Sequence, residues 1–403
     1  MQAFNAFNLL LGMSLLVFPA RILGEISLLT LKVPDFVGEF GTVYPIYSLI
    51  DLLASIYLVI VLILLNIEKN INRKLYTKFV LLSFISIIFI TSKFLIINSN
   101  LYLDGLIFLI RTVIIYNVWI LLPNNYRYLG ILFSILIGGL VALVAVGTST
   151  FQNERINIPG FEITSSSYAL GVMILLATSY LKGPLRGVVI VLGILMMIVT
   201  ASRIALLLLM GILIIQYINS IKGYKKILVM LIALSLFFGA IEIIFLMRAD
   251  DNNYSFLNIY ESLSQILDSY SPYEKEINQQ FSYVSALNGR LIAILSGIDL
   301  VQVNFPWPLG SDWAVQEGLQ QRGFPSHTHS GFLQLLLKNG VLALPIFLAI
   351  IQTIRTQFQC KNICRWATLY ISISLFFDYI FFVPSIMAIF LLLCSSSNEP
   401  DKF

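Results

Sequence analysis

The chain has 403 residues, 58% of them hydrophobic and 11% charged, with a mean hydropathy of +0.88 and a formal net charge of +4. This is too apolar for soluble domains, and it gives no reason to expect a nucleic-acid partner. The expected class is an all-α polytopic membrane protein.

Apolar runs fall at about 4–20, 43–66, 76–97, 103–122, 129–147, 164–181, 187–200, 204–219, 227–247, 329–354, 366–380 and 383–396. Most approach the ~20 residues that a bilayer core requires. No charge precedes the first run and no small-residue cleavage pattern follows it, so it is expected to be a retained helix. The stretches 187–219 and 366–396 could each pass for one long helix, and charge decides against that. If each is a pair of short spans, then Lys69, Arg73, Lys74, Lys78, Arg127, Lys182, Arg186, Lys222, Lys225, Lys226, Arg355, Lys361, Arg365 and Lys402 share one side. Those 14 of 25 basic residues have only Glu68, Glu399 and Asp401 for acidic company, which marks the side as cytoplasmic. The expectation is about 12 transmembrane helices with both termini inside: nine spans in 1–247, a large periplasmic loop in 248–328, and three spans with a short cytoplasmic tail in 329–403. The membrane would be the bacterial inner (cytoplasmic) membrane.

In chain order, the first outward charge of interest is Arg203, closing Thr200-Ala201-Ser202-Arg203 between two short spans at the level of the outer phosphate layer. A charge there must snorkel or find a partner. The long loop follows, rich in Asn, Ser and Tyr around Asp250-Asp251-Asn252-Asn253-Tyr254 and Ser269-Tyr270-Ser271-Pro272-Tyr273. Such a composition suits either a hydroxylated ligand or ordinary solvated surface. Within it, Leu287, Leu291, Ile294, Leu295, Ile298 and Val301 follow helical spacing, with Arg290, Ala293 and Gly297 beside the stripe. This predicts a short amphipathic helix that could lie on the bilayer and hold Arg290 at headgroup level. Arg322 completes a candidate cationic cluster. Guanidinium forks suit phosphate oxygens, although each arginine could equally contact headgroups or loop carboxylates.

Both histidines lie in Pro325-Ser326-His327-Thr328-His329-Ser330-Gly331, at the entry to an apolar run. A ring titrating near neutrality at a water–membrane boundary can do proton chemistry. If one helix starts at Ser326, the two rings stand about 200° apart. His329 would then share the inward face with Leu333, Leu336 and Gly340, leaving it a catalytic base or a capping or packing residue. Cys360, Cys364 and Cys394 fall in an inner loop and the last span, so no disulfide framework is implied, and two loop cysteines are too few for a closed zinc site. Asp250 and Asp251 would need a special turn to converge on one metal ion. Asp378, near the outward turn of the last two spans, could orient an arginine or the histidine, or simply cap a helix.

His329 followed eleven residues later by Gly340 and Val341-Leu342-Ala343-Leu344 resembles the signature segment of the bacterial O-antigen polymerase and O-antigen ligase superfamily. The turn at 200–203 with Ile204-Ala205-Leu206-Leu207, and Gly289-Arg290-Leu291, resemble that superfamily's two arginine motifs in the same order. The resemblance covers about 187–393; the first 180 residues share only their hydrophobicity. Many members carry Asn after the histidine, where this chain has Ser330.

The resemblance implies a membrane-embedded, metal-independent glycosyltransferase of the C type, with no cofactor and an undecaprenyl-pyrophosphate-linked oligosaccharide as donor. The pyrophosphate is already a good leaving group, so the site must neutralise its developing charge and help an acceptor hydroxyl lose a proton. Arg203 and Arg290, with Arg322 as a weaker third, fit the first task. His329 fits the second as general base, with His327 and Asp378 in support. The leading expectation is an O-antigen polymerase joining lipid-linked repeat units at the periplasmic face, with membrane lipids around it and a chain-length regulator as a further partner. The alternatives are an O-antigen ligase transferring finished glycan to lipid A core and, less favoured, a transporter or flippase, whose polar sites usually lie nearer the bilayer midplane.

Overall fold

A computed structural model describes residues 2–17, 103–148, 163–200, 202–220, 286–310, 312–322, 328–378 and 383–395, with isolated positions at 54, 56, 57, 158, 161, 264 and 270. The expected spans at 76–97 and 227–247, most of 43–66, and His327, Asp250 and Asp251 lie outside the described residues. The described residues are helical and contain no strand. The helices are α1 (Gln2–Val17), α2 (Leu103–Ile120), α3 (Asn124–Thr148), α4 (Ile163–Tyr180), α5 (Gly183–Thr200), α6 (Arg203–Ser220), α7 (Ala286–Asn304), α8 (Asp312–Gln320), α9 (Gly331–Asn339), α10 (Ala343–Gln359), α11 (Arg365–Ser374) and α12 (Pro384–Cys394). Among these residues, Asn124–Val144, Gly183–Thr200 and Gly331–Gln359 are long and apolar enough to cross a membrane. Phe4–Leu16, Ile204–Asn219 and Ser385–Cys394 are shorter apolar helices. The stretch 187–219 is broken into α5 and α6, and 366–396 into α11 and α12, as the charge distribution requires.

The chain divides into two compact units. In the first, α4 is buried on all sides from 165 to 177, with Ser165, Ser166 and Ser167 in its first turns and an unbroken apolar stretch from Ala169 to Ala177, as expected of a central helix. Glycines let its neighbours close in. A Cβ at Gly193 of α5 would lie 2.6 Å from Ile174, and one at Gly139 of α3 would lie 2.6 Å from Met196. The outer side of α5 leaves Leu185, Val188, Val191 and Leu195 exposed, a surface fit for lipid. Arg127, counted above among the inner-side charges, is buried; its guanidinium donates to the carbonyls of Trp119, Ile120 and Leu122 at 2.9–3.1 Å. It therefore satisfies the open end of α2.

The second unit comprises 201–356 and 369–380. Here α7 packs against α8 and α9. Leu300, Val315, Leu319 and Leu337 form one buried cluster, and Gly318 makes room for Leu300, since a Cβ there would lie 2.8 Å from its Cδ2. A helix is present where an amphipathic one was expected, but its apolar residues are not gathered on one face, and its packing face is the one beside the expected stripe: Ile292, Ala293, Ser296, Gly297 and Leu300 are buried. Leu291, Ile294, Leu295 and Val301 stay half-buried, and Ile298 is exposed.

The expected single helix from Ser326 is corrected in two places. It starts at Gly331, with Ser330 as its N-cap, and breaks after Asn339 into a short 3-10 turn, Gly340–Leu342, before α10. Gly340 has φ 56°, and a Cβ there would lie 2.3 Å from the Pro306 carbonyl oxygen. The Val341 N–H donates to that same carbonyl at 3.0 Å. Pro345, in the first turn of α10, has no N–H to donate and is tolerated there. The eleven-residue spacing from His329 to Gly340 thus measures one short helix and its two caps.

Candidate functional site

His329 lies outside the helix in the turn that feeds it. Its φ is 52°, a left-handed conformation that non-glycine residues adopt uncommonly. The expected face shared with Leu333 and Leu336 therefore does not exist, because the helical periodicity begins only at Gly331. Buried residues flank the half-buried ring: Thr328 and Ser330 in sequence, and Gln334 one turn along α9. The Thr328 hydroxyl lies 2.8 Å from the Ser330 carbonyl and 3.3 Å from Gln334 Oε1, and the Ser330 N–H donates back to it at 3.3 Å. Ser330 uses its own Oγ to accept from the Leu333 N–H at 3.4 Å, a helix cap.

The end of α11 holds the same turn from outside. The Gly331 N–H donates to the Asp378 carbonyl at 3.1 Å and the Phe332 N–H to the Leu375 carbonyl at 3.0 Å, so two of the first N–H groups of α9 are satisfied by another chain segment. Gly331 allows this close approach, since a Cβ would lie 3.0 Å from the Asp378 carbonyl oxygen. Asp378 is buried and, through its backbone, is brought to the histidine segment.

Arg203 opens α6. Its backbone is described and its side chain is not. Two residues on, the Ala205 carbonyl accepts from the buried Tyr370 hydroxyl at 3.1 Å. Tyr370 and Leu375 are separated by about 7 Å of helical rise. The last turns of α11 therefore carry both the start of α6 and the His329 turn.

Arg290 is half-buried on α7. Seven residues on, Gly297 shares its face about 10 Å along the axis, and a Cβ at Gly297 would lie 2.9 Å from Thr328 Cγ2. The face bearing Arg290, Ala293 and Gly297 is therefore directed at the His329 segment.

Arg322 is engaged differently. Its Nε pairs with Asp299 at 2.5 Å and its Nη1 donates to the Gly318 carbonyl at 3.0 Å, which ties the end of α8 to α7. Tyr270, from the loop segment expected to contact a polar ligand, reaches the Ser296 hydroxyl at 3.3 Å and packs beside Ile292 and Ala293. Burial raises its phenol pKa, with the Ser296 hydrogen bond opposing. Glu317 is exposed on α8, and the Asp312 side chain lies outside the described residues.

Sequence reasoning missed Thr328, Gln334 and Tyr370. The available signal was polarity within apolar runs, since a Gln or Tyr hydroxyl buried there requires a partner.

A family model described as O-Antigen ligase matches residues 188–348, a segment that contains Arg203, Arg290, Arg322 and His329. No curated protein and no solved structure matches the chain. Over this segment, which holds the helix-break arginine, the α7 arginine and the capped histidine turn in that order, the chain is similar to the O-antigen ligase family.

Proposed function

We propose that the protein is a glycosyltransferase of surface-polysaccharide assembly, acting as an O-antigen polymerase on undecaprenyl-pyrophosphate-linked repeat units at the periplasmic face of the inner membrane. The observation that carries this reading is that the Gly297 face of α7 and the segment at the end of α11 both meet the His329 turn, while Tyr370 of α11 holds the start of α6, next to Arg203.

The chemistry follows from those groups. The acceptor hydroxyl oxygen attacks the anomeric carbon of the donor glycan while His329 takes its proton. The bond from that carbon to the phosphate oxygen breaks, and the lipid pyrophosphate leaves with the electron pair. Arg203 and Arg290 neutralise the charge that develops on it. Arg322, held by Asp299, acts in this reading by fixing α8 on α7. The reactants are lipid-linked donor and acceptor glycans.

The description of the matched family favours a second reading, transfer of the finished glycan to lipid A core. Lipopolysaccharide banding in a deletion strain separates the two. Core carrying a single repeat indicates a polymerase, whereas bare core with accumulated lipid-linked polymer indicates a ligase. For the shared chemistry, His329→Ala is expected to lower turnover by about 10²–10⁴-fold at normal abundance, with or without chelator. His327→Ala should reduce it only partly. Wild-type elongation by purified His329→Ala enzyme would remove the general base.

A further inference from the structure

His329 holds an uncommon left-handed backbone conformation, φ 52°, and the residues that hold its turn are not the ones that the family pattern suggests. Ser330 occupies the position where relatives often carry Asn, yet its hydroxyl accepts from the Leu333 N–H and so serves the helix end. The clasp around His329 is made by its other neighbour. Thr328, fully buried, reaches across the histidine with one atom: its Oγ1 lies 2.8 Å from the carbonyl oxygen of Ser330 and accepts from the Ser330 N–H at 3.3 Å. A hydroxyl with one proton and two lone pairs can hold both groups, closing a ring over residue 329 that leaves its φ and ψ little freedom.

Gln334 secures the clasp from α9. It is 1% exposed, its backbone N–H donates to the Ser330 carbonyl at 2.9 Å, and its Oε1 lies 3.3 Å from the Thr328 hydroxyl and 3.5 Å from the Thr328 N–H. The other branch of Thr328 is fixed as well, because its Cγ2 seats against the bare backbone of Gly297. Both branches of one β-branched side chain are therefore engaged, one by α7 and one by the histidine turn. In a dry setting such a network is strong when complete and costly when broken.

We propose that Thr328 and Gln334 are positioning residues that lock His329 in its left-handed turn and so set the direction from which its imidazole meets the acceptor hydroxyl. The inference rests on His329 being the general base. Neither side chain needs to touch substrate.

The test uses the full-length enzyme in lipid nanodiscs with its lipid-linked repeat unit. Thr328→Val keeps the shape and the Gly297 contact but removes the clasping oxygen, and Gln334→Leu removes the second layer. Each is expected to lower kcat by about 10- to 100-fold, as sub-ångström misplacement of a reacting group does, with KM within about twofold. Thr328→Ser keeps the oxygen and should retain most of kcat. In a His329→Ala background, Thr328→Val should cause no further loss, since the residue acts through the histidine.

Wild-type kcat in Thr328→Val and Gln334→Leu, with His329→Ala inactive, overturns the positioning role and leaves the general base standing. Equal loss in Thr328→Ser and Thr328→Val also overturns it, because the hydroxyl would not be what matters. If Thr328→Val does not accumulate in the membrane, Gln334→Leu and Thr328→Ser decide by the same criteria. Full activity in His329→Ala instead sinks the underlying assignment, a result the clasp variants cannot mimic.

Discussion

At the residue scale the arginines divide by what they already hold. Arg322 is paired with Asp299, and both side chains are largely shielded, at 15% and 21% exposure. Removing either partner should destabilise the α7–α8 contact, and a double-mutant cycle on thermal unfolding with Arg322→Ala and Asp299→Ala should give a coupling of about 1 kcal/mol. No coupling, with activity lost at full stability, would return Arg322 to the pyrophosphate. Arg203 and Arg290 carry the opposite expectation. An ammonium keeps the charge but loses the bidentate fork, so Arg203→Lys and Arg290→Lys should each cut long-chain product at least about tenfold without loss of protein. Near-normal polymer from both would make them headgroup anchors. His329, Arg203 and Arg290 stand out in the sequence because charge and imidazole are rare in so apolar a chain, and the roles given to them here are proposals. Thr328 does not stand out, because a threonine beside a histidine has no pattern until the backbone turns over it, and the ion pair of Arg322 joins residues 23 positions apart.

At the element scale, charge marks the breaks within 187–219 and 366–396, whereas the break at Gly340 falls inside 329–354, expected as one span. Basic clusters at either end predict the division of 187–219 into two helices, and α5 and α6 are separate. Gly340 follows Lys338 and Asn339, a polar interruption of the run at 329–354 that signals a helix end, and the Pro306 carbonyl seated against it shows why α9 stops there. Helical spacing likewise identified α7 but misjudged its packing face, because Ala293 and Gly297 carry little hydrophobic signal and are chosen for close approach. Gly340→Ala combines a positive φ with a 2.3 Å clash against backbone. It should cost more than about 1 kcal/mol and lower both melting temperature and abundance. Gly211→Ala in α6 is the control. A Cβ there meets nothing within 4 Å, and helix propensity favours the change. Equal behaviour of the two variants in a thermal-shift series would show that the 305–308 segment does not dock on Gly340 in the membrane.

At the scale of the whole molecule, the site has a function only on one side of the membrane, and charge bias is what assigns the side. On the twelve-span reading, 14 basic residues face three acidic ones on the inner side, and the 79 residues of 248–326 lie opposite them. Arg127 qualifies the tally, since its charge is spent on the carbonyls ending α2, but it leaves the remaining clusters unchanged. Positive loops resist translocation, so the bias sets orientation as the helices insert. A phosphatase that folds only outside the cytoplasm should therefore be active when fused within 248–326 and inactive when fused near Lys225. The two fusion points are separated by the apolar run at 227–247, so one span decides between them. Activity near Lys225 and none in the loop would put Arg290 and the His329 turn on the cytoplasmic side. The acceptor would then have to be a glycan not yet moved across the membrane, and assembly on the periplasmic face would have to be abandoned with the topology.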